Sequence, residues 1–221
     1  MAKGIRSFPL RLKTWLKLLP TLTGKSSPLA RLSPYENYVL HGGDDLHDSG
    51  SLNKVLVLGG YEGLSTLKWA EIAEAVYSVE PVPQFAEKIR QSASSLSNIE
   101  VLEFGVGSKE GKLRLSLLGD GSSQFRTSQN FIEVPLRDIS EIVEEIGEID
   151  LLEVNIEGGE YEVLERLIET GKLRKIKTIL VQFHKDGLDF ASRKNTITMN
   201  LSETHFLSWS FPWVWDKWER K

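Results

Sequence analysis

Residues 149–160 read Ile-Asp-Leu-Leu-Glu-Val-Asn-Ile-Glu-Gly-Gly-Glu, and this stretch decides the fold. An apolar, β-rich run ends abruptly in polar side chains, of which Asn155, Glu157 and Glu160 are candidates for chemistry. Two glycines then lead into residues 161–168, where Tyr, Leu, Leu and Ile recur at helical spacing. A strand followed by a turn and a helix is the repeating unit of an open α/β sheet. Ligands bind such sheets at the carboxyl ends of the strands, so we predict a site at this point.

The rest of the chain repeats this unit. Short apolar runs, typical of buried parallel strands, alternate with segments of helical periodicity. The sequence therefore predicts an α/β fold with a doubly wound, mostly parallel sheet. Besides the run that starts at 149, the predicted strands are 54–58, 75–79, 99–104, 131–136 and 178–184, with a hairpin near 112–118 and an acidic helix over 140–146.

The chain has 221 residues, which suits one sizeable core rather than two. We divide it into a basic N-terminal arm and linker, residues 1–50, and one folded domain, residues 51–221. Because there is no cysteine, disulfides and thiolate metal sites are excluded, and a cytoplasmic location is expected. No uncharged apolar run approaches the roughly 18 residues that a membrane-spanning helix needs.

Charge is distributed unevenly along the chain. Residues 1–35 hold seven basic side chains and no acid, whereas the remainder has 20 basic residues against 31 acids. This basic N-terminal segment has Trp and Leu residues between its charges. We expect it either to lie on a membrane surface or an acidic partner, or to pack on the acidic remainder of its own chain. Because that remainder is acidic and carries no recognised motif, nucleic acid is not expected as a ligand.

A glycine turn follows the first predicted strand. Gly59, Gly60 and Gly63 precede a helical segment, and their missing side chains let the backbone approach a nucleotide-like ligand. Glu80 ends the second predicted strand about 20 residues later, where an acid can accept hydrogen bonds from ribose hydroxyls. The plain alternative is that Glu80 is a solvated strand end. NAD and S-adenosylmethionine both use such a pair of features, and the spacing leaves the two open.

Six motifs follow one another along the chain: 55–63 (VLVLGGYEG), 79–83 (VEPVP), 105–111 (GVGSKEG), 119–123 (GDGSS), 150–160 (DLLEVNIEGGE) and 182–184 (QFH). Together they resemble the FkbM-type methyltransferase family, over roughly residues 50–186. The resemblance implies a Rossmann-like class I methyltransferase sheet that ends in a C-terminal antiparallel hairpin. It also implies S-adenosylmethionine as the methyl donor and O-methylation of a hydroxyl on a sugar, a glycan or a natural product.

Two groups of site residues are expected. On the acceptor side we place His184, Asn155, Glu157 and Glu160, with His184 as the preferred base because the pKa of histidine lies nearest to neutrality. The alternative for His184 is a structural residue that caps its strand. No metal is predicted, since two or three oxygen ligands are too few to define a site. The expected cofactor contacts are Gly59, Gly60, Tyr61, Gly63, Glu80, Pro81, Glu103, Phe104, Ser122 and Ser123.

Two positions depart from the family pattern. The resemblance implies an Asp where this chain has Val57 and a Lys where it has Glu153. Val57 removes an anchor for the methionine part of the cofactor, whereas strand alternation can turn Glu153 away from the pocket. The first alternative is therefore a non-catalytic relative that acts as a binding or scaffold protein in glycan assembly. The second is an NAD-dependent oxidoreductase, which the lack of a strict Gly-x-Gly-x-x-Gly disfavours.

The C-terminus is rich in aromatic residues, with Trp209, Trp213, Trp215 and Trp218 in the last thirteen positions. Alternation from 209 to 215 predicts one strand with an aromatic face, the last strand of the hairpin, although Pro212 confines it to an edge or a bulge. These rings are expected to cover the edge of the sheet and the helices, or else to stack on a sugar acceptor or form a contact between two copies of the chain.

Overall fold

The computed structural model describes residues 33–43, 50–118, 121–123, 131–185 and 189–221. The helices are α1 (Pro34–Leu40), α2 (Leu64–Ala70), α3 (Pro83–Ser92), α4 (Ile139–Ile146), α5 (Glu160–Glu169) and α6 (Phe190–Thr204), with a 3₁₀ turn at Lys172–Lys175. The strands are β1 (Leu52–Leu58), β2 (Ala73–Val79), β3 (Ile99–Leu102), β4 (Gly105–Gly107), β5 (Gly111–Leu118), β6 (Gly121–Ser123), β7 (Phe131–Asp138), β8 (Ile149–Val154), β9 (Ile176–Val181), β10 (His205–Phe211) and β11 (Trp215–Arg220).

Seven strands form the large sheet, in the order β10-β11-β9-β8-β1-β2-β3. The five strands from β9 to β3 are parallel, and the β10–β11 hairpin lies antiparallel beside β9. The predicted α/β fold, with a mostly parallel sheet and a C-terminal antiparallel hairpin, is therefore confirmed. From β1 the chain continues to β2 and β3 on one side, and from β8 it continues to β9 on the other side. The connections that follow β1 and β8 therefore diverge and leave a crevice at the carboxyl ends of these two strands.

The large sheet buries an apolar cluster on each face. All six residues of β8 are buried, and alternate side chains point to opposite faces. Leu152 and Val154 join a cluster with α4, α5 and α6, whereas Leu151 packs with Val57 and with Trp69 of α2. Each fully buried side chain of this kind stabilises the fold by about 1.5–3 kcal/mol. Burial on both faces explains why the central strands read as continuous apolar runs.

A second sheet of four strands, in the order β4-β7-β5-β6, was not predicted. The predicted hairpin near 112–118 is present as β5 and β6, but β5 also pairs with β7 and β4 lies parallel to β7. The predicted strand 99–104 ends early, at Leu102, because the chain crosses there into the second sheet. Leu115 and Val134 are buried against Val82 at the start of α3. The second sheet therefore packs beside the carboxyl end of β2.

The aromatic C-terminus corrects a second prediction. Residues 209–215 do not form one strand: β10 ends at Phe211, and Val214 N–H donates to the Phe211 carbonyl at 2.9 Å to close a turn. Pro212 opens this turn, and Trp213 occupies a left-handed position with φ +62°. The segment is thus the bend of the hairpin, and β11 supplies the strand that joins the sheet.

A short helix covers the outer end of this hairpin. Within the predicted arm and linker, Ser33 caps α1 through a reciprocal pair of hydrogen bonds with Glu36. Tyr38 of α1 packs edge-on against Phe211, with ring centroids 5.4 Å apart, and lies 6.5 Å from Trp209. These contacts favour the interpretation that the aromatic residues cover the sheet edge. Residues 1–32 lie outside the described residues, so the basic arm stays a prediction. None of the described helices is both long and apolar enough to cross a membrane.

Asp150 ties three strands together at the amino end of the sheet. Its carboxylate accepts from the N–H groups of Asn53 and Lys54, at 2.6 and 3.0 Å, and from the ammonium of Lys177. Burial alone would raise the pKa of Asp150, but these hydrogen bonds lower it from 3.8 to about 2. A lowered pKa in the folded state contributes stability that is present above pH 3.8 and is lost as the pH falls towards 2.

We expect Asp150→Asn to lower the free energy of unfolding by about 2 kcal/mol at neutral pH. The variant should also lack the share of the loss in unfolding free energy that Asp150 causes between about pH 4 and pH 2. Urea denaturation across this pH range measures both effects. Glu144→Gln is the matched control, because Glu144 pairs with Lys172 and Lys175 on the exposed surface, where ion pairs contribute little. Parallel pH profiles for the Asp150→Asn and unmodified proteins would contradict the assignment.

Candidate active site

The carboxyl ends of β1 and β8 meet at the glycine turn. Asn155 N–H donates to the Leu58 carbonyl at 3.0 Å, and Gly59 follows with φ +91°. A Cβ on Gly59 would lie 2.0 Å from the backbone carbonyl oxygen of Asn155. Only glycine satisfies both the left-handed backbone and this close approach. The turn therefore holds Asn155 directly against the end of β1.

Glu80 follows β2 and is 4% exposed. Its two carboxylate oxygens accept from the N–H of Tyr61 at 2.8 Å and from the N–H of Val82 at 2.9 Å. Burial raises the pKa of Glu80 and these two hydrogen bonds lower it, which leaves it above its ordinary value of 4.5. An ionised carboxylate has about four acceptor positions, so each oxygen retains room for a further donor. Glu80 can therefore bind a ligand that carries hydroxyls.

A pocket opens beside these residues at the carboxyl edge of the large sheet. Part of its wall is polar, with Glu80, Asn155 and Glu157, and part is apolar. The second sheet supplies much of the apolar part through Leu113 and Leu115. The lining residues are Gly59, Tyr61, Val79, Glu80, Pro81, Phe85, Gly105, Val106, Leu113, Leu115, Asn155, Ile156, Glu157 and Gly159. An apolar cleft with a few convergent polar groups is the usual form of a cofactor site.

His184 follows β9 and lies between two carboxylates. Its Nε2 is 3.9 Å from Oε1 of Glu157, and its Nδ1 is 3.2 Å from Oε1 of Glu160. Glu157 lines the pocket in a left-handed backbone position, φ +51°, and its side chain is 42% exposed. The side chain of Glu160 is completely buried. Glu157 can therefore contact a ligand in the pocket, whereas Glu160 reaches it only through His184.

Six of the fourteen predicted site residues line the pocket, and His184 and Glu160 lie beside Glu157 without lining it. The predicted residues that line the pocket are Gly59, Tyr61, Glu80, Pro81, Asn155 and Glu157. Gly60 and Gly63 support the turn instead: Gly60 packs against Ser78 and Ile89, and Gly63 is the N-cap of α2. Ser122 and Ser123 lie in β6, and their side chains are outside the described part of the chain.

Glu103 and Phe104 do not line the pocket as predicted. Glu103 is turned outward and pairs with Arg90 at 2.9 Å. Phe104 is partly buried and packs against the main buried cluster, because the chain is already leaving the large sheet at this point. The pocket is lined by the next two residues, Gly105 and Val106, where β4 begins.

Eight of the lining residues were not predicted as site residues, and Phe85, Leu113 and Leu115 are three of them. The ring of Phe85, at the start of α3, lies 4.6 Å from the ring of Tyr61. Leu113 and Leu115 reach the pocket through the second sheet. An apolar residue in a helix or strand has no local signal that separates a pocket wall from a core. The alternation of Leu113 and Leu115 with charged neighbours was the available sign, since it marks a strand with one buried face.

The two departures from the family pattern lie outside the pocket lining. Val57 is fully buried in the cluster on the α2 face. Glu153 accepts hydrogen bonds from the indole N–H of Trp69 at 2.6 Å and from the hydroxyl of Ser65, both in α2. The expectation that strand alternation turns Glu153 away from the pocket is confirmed. Its negative charge is therefore compensated by hydrogen bonds beneath α2 rather than presented to a ligand.

Within the described ranges, no three His, Asp or Glu side chains are grouped so that they could hold a metal ion.

The strand order, the glycine turn and the buried acid after β2 define the class: this is the fold of the class I methyltransferases. The model of the methyltransferase FkbM domain matches residues 58–207, more than half of the chain. The chain belongs to the FkbM methyltransferase family.

Solved structures show the same fold. Methyltransferase FkbM from Methylobacillus flagellatus KT is similar with a TM-score of 0.57 and 15% identity, over 97% of this chain and 59% of that one. A putative rRNA methylase from Clostridium thermocellum is similar with a TM-score of 0.51 and 9% identity, over 82% of this chain and 94% of that one. The chain thus spans 59% of the length of the Methylobacillus protein. No curated protein matches it.

We expect Gly59→Ala to destabilise the protein by more than about 3 kcal/mol, because a Cβ would force the ends of β1 and β8 apart and strain a left-handed backbone. Chemical denaturation measures the change. Gly171→Ala is the matched control: Gly171 also has positive φ, +67°, but a Cβ there meets nothing within 4 Å. That control should cost about 1–2 kcal/mol. Equal costs for the two variants would show that the close approach to Asn155 is unimportant.

Proposed function

We propose that this protein is an S-adenosylmethionine-dependent O-methyltransferase that methylates a hydroxyl of a sugar, a glycan or a natural product. The observation that carries the proposal is the position of His184. Its Nε2 lies 3.9 Å from Glu157, which lines a pocket that also contains a buried acid, Glu80, at the place where class I methyltransferases bind their cofactor. One edge of the sheet thus combines a nucleoside-type pocket with a base.

The residues of the pocket fit the cofactor. The methionine part would be held beside the glycine turn at Gly59, and the ribose hydroxyls would donate to Glu80. The adenine would lie against the apolar wall that includes Val106, Leu113 and Leu115. When bound, the cofactor supplies a methyl group activated by a sulfonium, so that a carbon–oxygen bond forms as the carbon–sulfur bond breaks.

The protein must then align the acceptor and remove one proton. Alignment by itself lowers the barrier substantially, because it makes the reaction effectively unimolecular. A sugar hydroxyl becomes a good nucleophile only when a base begins to take its proton, and a positioned histidine contributes typically 10²–10⁴-fold. Asn155 and Glu157 line the pocket next to this base and can orient the acceptor by hydrogen bonds.

The acceptor class and the setting are part of the same proposal. The proposed acceptor is a hydroxyl, because a base at His184 suits an acceptor that must lose a proton and a sugar hydroxyl is such an acceptor. We place the reaction in the cytoplasm, with the basic N-terminal arm as a contact to a membrane surface or an acidic partner. A scaffold protein with the same fold is the rival, and the experiments below separate the two.

The cofactor pocket is tested by calorimetric titration with S-adenosylmethionine and S-adenosylhomocysteine, with NAD as the control ligand. We expect micromolar binding of both methyl cofactors and a loss of ten-fold or more in Glu80→Ala, about 1.4 kcal/mol. Glu103→Ala is the matched control, because Glu103 follows the neighbouring strand but lies outside the pocket. A folded protein that binds neither methyl cofactor would overturn the proposal. Binding without transfer of labelled methyl groups to any hydroxyl acceptor in a screen would favour the scaffold.

The raised pKa of Glu80 predicts a pH dependence of this binding. A ribose hydroxyl donates to ionised Glu80, so affinity for S-adenosylhomocysteine should fall on acidification, starting at a higher pH than an ordinary Glu with pKa 4.5 would give. Titrations between neutral pH and the onset of acid unfolding measure this decline. Glu80→Gln, which cannot ionise, should bind more weakly and with a flatter profile. An identical pH profile for Glu80→Gln and the unmodified protein would contradict the role of Glu80.

A further inference from the structure

Glu160 is a completely buried carboxylate whose partners lie on two different loops. Its Oε2 accepts from the N–H of Gly158 at 2.7 Å, within the loop that lines the pocket. Its Oε1 accepts from the N–H of His184 at 2.5 Å, after β9. Glu160 also begins α5, where the positive end of the helix dipole favours a negative charge. A buried acid of this kind is costly unless each oxygen is satisfied, so its position is closely determined.

The contacts of Glu160 bear on which ring nitrogen of His184 carries the proton. Backbone N–H groups only donate, so both oxygens of Glu160 act as acceptors. The Nδ1 atom of His184 lies 3.2 Å from the oxygen that accepts the backbone N–H of the same residue. This short approach is favourable when Nδ1 carries the proton. In a neutral imidazole the other nitrogen, Nε2, is then unprotonated. Nε2 is on the side of Glu157, which lines the pocket.

The backbone of His184 is held as firmly as its ring. Its N–H donates to Glu160, and its carbonyl oxygen accepts from the hydroxyl of Tyr161 at 2.5 Å. Tyr161 is buried and packs 5.5 Å from the ring of Phe183. Two consecutive residues at the start of α5 therefore fix both polar backbone groups of His184. The orientation of the ring then depends on the side-chain torsions, which the contact of Nδ1 with the same carboxylate restrains.

We propose that Glu160 is a positioning residue, which holds His184 as the Nδ1–H tautomer so that its unprotonated Nε2 is directed at the acceptor side of the pocket. The role of His184 as a base rests on the proposed function; its tautomer does not. In the reaction the proton of the acceptor hydroxyl moves to Nε2, and no other proton changes place. The imidazolium that forms then lies between Glu160 and Glu157, so its positive charge is stabilised on both sides.

The test is nitrogen NMR of the full-length protein labelled with ¹⁵N-histidine, at alkaline pH where imidazole is neutral. The two ring nitrogens of a neutral histidine have well-separated shifts that report which one is protonated. The resonances of His184 are identified by their absence in His184→Gln. We expect a protonated Nδ1 and an unprotonated Nε2. The opposite tautomer, or an equal mixture, in the unmodified protein would overturn the proposal without any variant of Glu160.

Two variants show whether Glu160 causes the preference. Glu160→Gln should shift His184 towards a mixture of tautomers, because one oxygen acceptor is replaced by an NH₂ group. Glu157→Gln is the matched control from the same loop: its carboxylate lies 3.9 Å from Nε2, too far for a hydrogen bond, so the tautomer should not change. A folded Glu160→Gln protein with an unchanged tautomer would refute the assignment to Glu160.

Titration of the same samples with S-adenosylhomocysteine separates this inference from the proposed function. The expected tautomer in a protein that binds no methyl cofactor would leave the inference standing and remove the proposed reaction. Cofactor binding with the wrong tautomer would overturn the inference and leave only the cofactor pocket of the proposed function standing.

Discussion

The contact between the glycine turn and the end of β8 is what the rest of the site depends on. β1 and β8 are the two central strands of the sheet, and the Leu58 carbonyl accepts from the Asn155 N–H just where Gly59 leaves no room for a side chain. Because the strands meet here so closely, the loop that follows β8 begins directly against the glycine turn. Asn155 and Glu157 of this loop line the pocket beside that turn.

From this contact the site extends in two directions along the edge of the sheet. Towards β2, the glycine turn places the N–H of Tyr61 on Glu80, a buried acceptor that is also held by the N–H of Val82. Towards β9, the loop after β8 places the N–H of Gly158 on Glu160, which in turn holds His184. Each side uses a buried carboxylate that is satisfied by backbone donors. Backbone donors fix the position of a carboxylate more firmly than a flexible Lys or Arg side chain does, because they lose little conformational freedom.

Much of this arrangement could be predicted from the sequence. The central strands appear as continuous apolar runs because both of their faces are buried, and the glycine turn and Glu80 stand at strand ends, where topology dictates that ligands bind. The second sheet could not be predicted in this way, because residues 111–116 of β5 pair with residues 131–136 of β7. Pairing between segments that are not adjacent in the chain leaves no local sequence pattern. Glu160 was predicted as a site residue from its place after β8, but its burial was not predicted. An acid in the first turn of a helix looks like an ordinary exposed residue, and only the packing of His184 against it reveals that it is buried.

The second sheet has a consequence for how binding and folding are related. It has its own ladder of hydrogen bonds and contacts the rest of the protein near Val82 and Phe85 and through Glu162 and Arg166 of α5, and Leu113 and Leu115 form part of the pocket wall. A ligand in the pocket therefore touches both sheets at once and joins them. By thermodynamic linkage, whatever free energy the ligand gains from the second sheet also keeps that sheet closed against the first. The occupied protein is accordingly a more cooperative unit than the empty one, and its smaller sheet is where the difference is concentrated.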